Sequence, residues 1–298
     1  MSRTEPSIDT DTILRIAAFS DGSQGGNPAG VWIGPQLPPS DEMQRLAHAI
    51  GFSETAFAAP LDDGNWRVRY FSPESEVPFC GHATIALGSA LARRHGDGVY
   101  ALTLNGADIT VEGRAEEKLV SAALQSPPTF SRPADPALVA GALALFGYLD
   151  ADLDPRIAPG FAHAGANHLV LALASRELLA AMRYELEAGR ALMAAHDLTT
   201  IVLAWAEGPR LFHTRNPFAI GGVYEDPATG AGTAALAGYL RDVKWPHGGA
   251  IDVVQGEDMG MRSRLHADIS AIGGSSIRVA GTARDDVNAG VIRTIAVQ

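Results

Sequence analysis

Two stretches about half a chain apart limit what this sequence can fold into. Residues 83–94 read A-T-I-A-L-G-S-A-L-A-R-R, and residues 231–241 read A-G-T-A-A-L-A-G-Y-L-R. Both have helical character, yet both are small and apolar nearly all round, where a surface helix would carry one polar face. Each therefore calls for enclosure by other elements. The alternative, two Ala-rich surface helices, leaves that apolar perimeter unexplained.

The contexts of the two stretches also match. The first follows Phe71-Ser72-Pro73, a polar loop and Cys80-Gly81-His82; the second follows Arg215-Asn216-Pro217, a longer loop and Asp226-Pro227-Ala228-Thr229-Gly230. In each case a strand leads through a Pro-containing loop to a glycine that opens a helix. With Gly81 set on Gly230, Ala86-Leu87 falls on Ala235-Leu236, which points to two halves built alike. The 298 residues suffice for two cores. The expected halves are residues 1–125, with a C-terminal strand near 282–298 available to complete them, and residues 135–281. The stretch 126–136, with four prolines, is expected to be the linker.

The rest of the pattern is rich in strands. Alternation and turn signals predict strands at 13–19, 31–33, 55–59, 66–71, 100–104, 109–112, 119–124, 168–173, 200–205, 211–215, 251–255, 277–280 and 291–297. Helices are predicted at 41–50, with Ser40 as N-cap, at 137–146, and in two short segments before residue 200. The fold class expected is α/β (α+β).

Composition narrows the function. A formal charge of −11 argues against nucleic acid and against anionic membranes. Such a chain can still hold an acidic ligand, but only through local donors such as helix N-termini. Residues 1–11 show no apolar leader, no stretch is long and apolar enough to span a bilayer, and Cys80 is the single cysteine. A cytoplasmic setting is therefore expected, with no intrachain disulfide and no two-thiol racemisation. The two lysines, Lys118 and Lys244, lie in polar and turn-like sequence, a poor setting for a pyridoxal-phosphate Schiff base. The nine histidines form no H-E-x-x-H, so neither metal nor cofactor is expected.

Chemistry must then come from ordinary side chains near the two helix starts. A helix opening at Gly81 or Gly230 presents unbonded backbone amides to an anion, although either glycine could serve only to turn the chain. His82 stands in the first turn as a candidate donor or general acid. Cys80, just before it, is either a reactive thiol or an inert small hydrophobe. Asp226 is a candidate acid/base or simply a capping residue. Glu54 sits where a helix gives way to an apolar strand; it is either a carboxylate turned into a cleft or an exposed cap, and the residues alone favour the cap.

Six motifs occur in order: Gly26-Asn27-Pro28-Ala29-Gly30-Val31, Ser53-Glu54-Thr55-Ala56-Phe57, Arg69-Tyr70-Phe71-Ser72-Pro73, Glu76-Val77-Pro78-Phe79-Cys80-Gly81-His82-Ala83-Thr84, Glu225-Asp226-Pro227-Ala228-Thr229-Gly230 and Gln255-Gly256-Glu257-Asp258-Met259-Gly260. Together, from about residue 15 to 279, they resemble the PhzF-like phenazine-biosynthesis isomerase family, which shares the diaminopimelate epimerase fold. The resemblance implies two pseudo-symmetric halves, each a strongly curved, mostly antiparallel sheet around a central helix, with an active site in the cleft between them and a homodimeric assembly. It implies that Glu54 transfers the proton, assisted by Asp226 and His82. It also implies that a small carboxylate substrate is held by Ser53, Cys80, Gly81, Thr229, Gly230 and Ala231. The related two-thiol epimerases carry a catalytic cysteine where Cys80 stands, and the Asp226 segment replaces their second thiol. The phenazine enzyme itself has a small apolar residue at the Cys80 position. No role is assigned to the Gln255 motif.

Two rival functions remain at this point. Gly230-Ala231-Gly232-Thr233-Ala234-Ala235 fits a nicotinamide-binding G-x-G-x-x-A with Asp252 about twenty residues on, but Asp226-Pro227 interrupts the strand and no βαβ alternation is read. A catalytically idle binding protein on the same fold is the other.

Overall fold

The computed structural model describes residues 8–116 and 119–285. The chain divides into two units: Met1–Ala18, Pro28–Leu124 and Thr282–Gln298 form the first, and Phe19–Asn27 and Gln125–Gly281 the second. Lys118 and the strand expected at 291–297 lie outside the described residues.

The first unit draws on β1 (Leu14–Ser20), β2 (Asn27–Ile33), α1 (Ser40–Ile50), β3 (Thr55–Pro60), β4 (Trp66–Phe71), β5 (Glu76–Val77), α2 (Gly81–His95), β6 (Gly98–Thr103), β7 (Asp108–Glu116) and β8 (Leu119–Gln125). The second draws on β9 (Phe130–Pro133), α3 (Pro136–Phe146), β10 (Gly160–His163), β11 (Asn167–Ala172), α4 (Arg176–Ala180), α5 (Leu186–Ala195), β12 (Thr200–Ala206), β13 (Leu211–Phe218), β14 (Val223–Asp226), α6 (Gly230–Asp242), β15 (Ala250–Gln255), β16 (Ser263–Asp268) and β17 (Arg278–Asp285).

Strand pairing follows one scheme in both units. In the first, β2 runs parallel to β3, β3 antiparallel to β4, β4 antiparallel to β5 and parallel to β6, and β6 antiparallel to β7. In the second, β11 runs parallel to β12, β12 antiparallel to β13, β13 antiparallel to β14 and parallel to β15, and β15 antiparallel to β16. A parallel pair needs a crossover, and helices supply it: α1 and α2 in one unit, α4–α5 and α6 in the other. This corrects the expectation that βαβ alternation is absent. Hairpins placed between the crossovers hide it from a linear reading.

The duplication extends to side chains. Arg69 on β4 pairs with Glu76 on β5, and Arg215 on β13 pairs with Glu225 on β14. Gly81 and Gly230 each open a helix five residues after that glutamate, and Thr84 and Thr233 follow three residues later. The second pair is the more deeply buried, and Arg215 Nη1 also donates to the Ala180 and Met182 carbonyls.

The two apolar helices are enclosed, which removes the surface-helix alternative. In α2 every residue from Gly81 to Ala92 is buried, and α6 is buried from Gly230 to Arg241 except at Ala231. Close approach requires small residues. A Cβ added to Gly88 would lie 2.4 Å from the Val111 side chain, and one on Gly113 would lie 2.5 Å from the Gly88 carbonyl oxygen. In the first unit α1 covers the sheet with Met43, Leu46, Ala47 and Ile50 against Phe57 and Phe71. In the second, Leu138, Phe146 and Met193 lie over Leu169, Leu171 and Leu203.

Two further expectations are corrected. Ser40 is the first residue of α1 rather than its cap, because its hydroxyl accepts from Arg69 Nη1 at 2.8 Å. The supposed linker at 126–136 is built into the second unit. It contains β9, paired with β10, and the Ser126 and Thr129 amides donate to Ile277 and Gly274. Its prolines avoid the bonded amides, so the punctuation they suggest does not break the structure. No helix among the described residues is long and apolar enough to cross a membrane.

Two stability measurements follow. Replacing Arg215 with Ala strands the buried Glu225 and should cost about 3–5 kcal/mol in urea unfolding, whereas Arg69→Ala at the more exposed counterpart should cost about 1 kcal/mol or less. Equal losses would mean that burial does not separate the two pairs. His168 on β11 is wholly buried, and burial, reinforced by nearby His163, pushes its pKa down to about 3. Its unfolded value is ordinary, so below about pH 6.5 only the unfolded chain takes up this proton. Stability from this group is complete above that pH and declines as pH falls toward 3. The stability gap between wild type and His168→Gln should therefore narrow by about 2 kcal/mol between about pH 7.5 and about pH 5; a constant gap would contradict this.

Candidate active site

In the first unit α1 ends at Gly51, whose φ of 72° is the left-handed turn that glycine adopts without strain. The reversal directs Ser53 and Glu54 toward β3, and the Glu54 carbonyl is held by the Gly30 amide at 3.1 Å. Glu54 is only 8% exposed. The residues alone favoured an exposed cap here; the tight turn at Gly51 instead carries the carboxylate inward. It faces His82, whose Nε2 lies 3.4 Å from Glu54 Oε2 and 3.3 Å from Ser53 Oγ. Nδ1 of the same ring lies 3.3 Å from Cys80 Sγ, which is also 3.9 Å from Nε2.

Cys80 is the N-cap residue of α2, but its side chain makes no capping bond. Its carbonyl accepts from both the amide and the hydroxyl of Thr84. The Thr84 hydroxyl also meets Tyr70 Oη at 2.7 Å, and burial holds that phenol far above its usual titration range. The Cys80 side chain therefore does not cap the first-turn amides of α2, the positive end of its dipole. Glu54, Cys80, Gly81 and His82 thus form one buried group, with the half-buried Ser53 at its edge. The Nε2 edge of the imidazole thus lies within hydrogen-bond distance of the Ser53 hydroxyl and within ion-pair distance of Glu54, while Nδ1 meets the Cys80 thiol.

In the second unit Asp226 is the last residue of β14, opposite Asn216, so it is not the helix cap considered from sequence. Thr229 takes the N-cap position, also without a side-chain capping bond. Both carboxylate oxygens of Asp226 are held: Oδ1 accepts from Asn27 Nδ2 at 2.7 Å and Oδ2 from Thr229 Oγ1 at 2.6 Å. Gln255 Nε2 donates to the Asp226 carbonyl and to Thr229 Oγ1, while Gln255 Oε1 accepts from the Thr229 amide. Asp226, Thr229, Gly230 and Ala231 therefore sit on a pinned loop at the start of α6.

Asn27 and Gln255 were not singled out as functional from sequence, although both lie in the quoted motifs. Asn27 reaches Asp226 because Phe19–Asn27 belongs to the second unit, a long-range fact no local pattern reports. The nicotinamide motif fails on structure. A Cβ on Gly232 would lie 2.6 Å from Asn216 Nδ2, so this glycine makes room for a side chain of the protein. Asp252 is exposed and bonded to His266. Replacing Gln255 with Ala removes three bonds to one loop, so hydrogen exchange at the Thr229 amide should quicken by tenfold or more while the β11–β12 ladder exchanges unchanged. Unaltered exchange at Thr229 would show that the loop does not depend on Gln255.

With this geometry in hand, comparisons with known proteins are informative. The sequence profile described as "Phenazine biosynthesis-like protein" matches residues 16–287. A trans-2,3-dihydro-3-hydroxyanthranilate isomerase from Pseudomonas aeruginosa is 31% identical over 275 residues, covering 89% of this chain and 94% of that protein. Among solved structures, a phenazine biosynthesis protein of the PhzF family from Bacillus anthracis superposes with a TM-score of 0.79 at 20% identity, covering 92% of this chain and 96% of that one. A hydroxyproline epimerase from Agrobacterium vitis gives a TM-score of 0.61 at 12% identity, covering 92% and 88%, a likeness of fold alone. The two like-built units, the enclosed helices and the near full-length match agree: the chain belongs to the phenazine biosynthesis-like (PhzC–PhzF) family and is an isomerase.

Proposed function

We propose that this isomerase moves a proton on a small carboxylate-bearing substrate, an amino acid or cyclic acid, without a cofactor, and that Glu54 is the acid/base. The observation that supports this most directly is Glu54 itself: a buried carboxylate within 3.4 Å of a histidine, beside the uncapped start of a buried helix. A carboxylate kept from bulk water and joined to one imidazole can take a proton from carbon and return it to another carbon or the other face. The first-turn amides of α2, beginning at Gly81, would hold the substrate carboxylate and stabilise charge that builds up as the adjacent carbon is deprotonated.

In this reading His82 relays or orients the proton on Glu54, with Ser53 setting the position of its Nε2. Asp226 serves as the second acid/base, its orientation set by Asn27 and Thr229, with Gly230 and Ala231 supplying amides at the start of α6. The relative from Pseudomonas aeruginosa makes a dihydroaromatic amino acid the first substrate to try; proline-like acids follow from the fold likeness.

The test is solvent-deuterium incorporation into a panel of such acids, followed by NMR. Wild-type protein dialysed against a chelator should exchange the proton on its substrate. Glu54→Gln should lower the rate by about 10²–10⁴ while keeping the ligand-induced rise in melting temperature. Undiminished incorporation in that variant removes Glu54 from the role, and loss of activity on chelation removes the cofactor-free reading.

A further inference from the structure

We infer that Glu54, Cys80 and His82 form a binding site for one thiophilic divalent cation of the zinc type, and that occupancy blocks the isomerase. Three metal-ligating side chains of different kinds converge here, all buried, with one donor atom from each within 4.8 Å of the others. The spacing is nearly that of a coordination sphere. Four-coordinate zinc, with bonds of about 2.3 Å to sulfur and about 2.0 Å to nitrogen or oxygen, holds its donors about 3.3–3.5 Å apart. His82 Nε2 lies 3.4 Å from Glu54 Oε2 and 3.9 Å from Cys80 Sγ. The sulfur lies nearer Nδ1, at 3.3 Å, than Nε2, so a turn of the imidazole or of the Cys80 side chain, with sulfur and carboxylate closing by up to about 1.3 Å, completes a three-ligand set with a fourth position open.

Charge and second-sphere donors favour the same outcome. A thiolate and a carboxylate offset the two positive charges of the ion, so the buried site ends up neutral. The start of α2 does not oppose this, because Cys80 is its N-cap residue and a sulfur that gives up its proton there stands at the positive end of the helix dipole. Binding is a proton exchange: the metal–sulfur bond forms as the S–H bond breaks, and the proton leaves to buffer, so affinity rises with pH. Sequence spacing could not show the site, because Glu54 lies outside any local Cys-x-His pattern. Metal binding stands independently of the proposed function. Inhibition rests on it, since a carboxylate and imidazole bound to metal cannot shuttle a proton.

The test is titration of the full chain, free of any histidine tag, with cobalt(II) as a spectroscopic probe. Cys80 is the only thiol in the sequence, so a sulfur-to-cobalt charge-transfer band reports this site and no other. The expected result is that band at one cobalt per chain, with the visible bands of four-coordinate cobalt, both erased by one equivalent of zinc. His82→Gln keeps the thiol and should weaken cobalt binding at least tenfold. X-ray absorption on zinc-loaded wild-type protein, which needs no variant to fold, should show one sulfur at about 2.3 Å and nitrogen or oxygen neighbours at about 2.0 Å. Absence of the charge-transfer band at saturating cobalt, or a zinc shell without sulfur, overturns the site. The two proposals fail separately. A cobalt band with full activity in Glu54→Gln sinks the proton-transfer assignment alone; deuterium exchange that persists in zinc-saturated protein sinks the inhibition.

Discussion

Enclosure of two helices that have no polar face is the constraint on which the rest of this structure depends. Burying α2 and α6 removes water from their flanks, so strands must surround them and the backbones must come close, as Gly88 and Gly113 allow. It also leaves each helix with a first turn whose amides its own backbone cannot satisfy. Two peripheral helices of the same chain solve this with side chains, Asp135 capping α3 and Ser175 capping α4, whereas the N-cap residues of α1 and α5 make no side-chain cap. In the two central helices the N-cap residues, Cys80 and Thr229, make no such side-chain bond either.

Upon this shared frame the two units carry different acids. Setting the Arg69–Glu76 pair on the Arg215–Glu225 pair aligns the hairpins, so Val77 stands where the second unit has Asp226. The strand partners of the two arginines, Phe57 and Leu203, align the neighbouring strands, so Thr200 stands where the first unit has Glu54. Each unit therefore has a buried carboxylate at a position where the other has none, Glu54 in the first and Asp226 in the second, from different elements. Glu54 comes with a histidine and a thiol, a set suited to moving protons and to ligating a soft cation. Asp226 comes with amide and hydroxyl donors on both oxygens, a set suited to holding a carboxylate in one orientation.

Much of this was legible in the residues. The strands at 55–60, 66–71 and 119–125 and the two enclosed helices follow from period-2 alternation and from the missing polar face. What escaped were short or polar strands, β10, β14 and β16, whose pairing rather than composition makes them strands. Region 126–136 escaped for the opposite reason: its prolines signal a break, while the amides that matter are bonded to residues about 145–150 positions away. Glu54 was read as a surface cap because nothing local distinguishes a carboxylate turned outward from one turned inward.

The sequence alone determined the family, the duplication and the two helix starts, because apolar patterning and ordered motifs are properties of neighbouring residues. Only the tertiary structure decided that Glu54 is buried beside His82 and Cys80, that Asn27 and Gln255 hold the Asp226 loop, and that four βαβ crossovers lie hidden among hairpins. Those facts depend on contacts between residues far apart in the chain, and they arise only when burial of the central helices pulls separate segments around them.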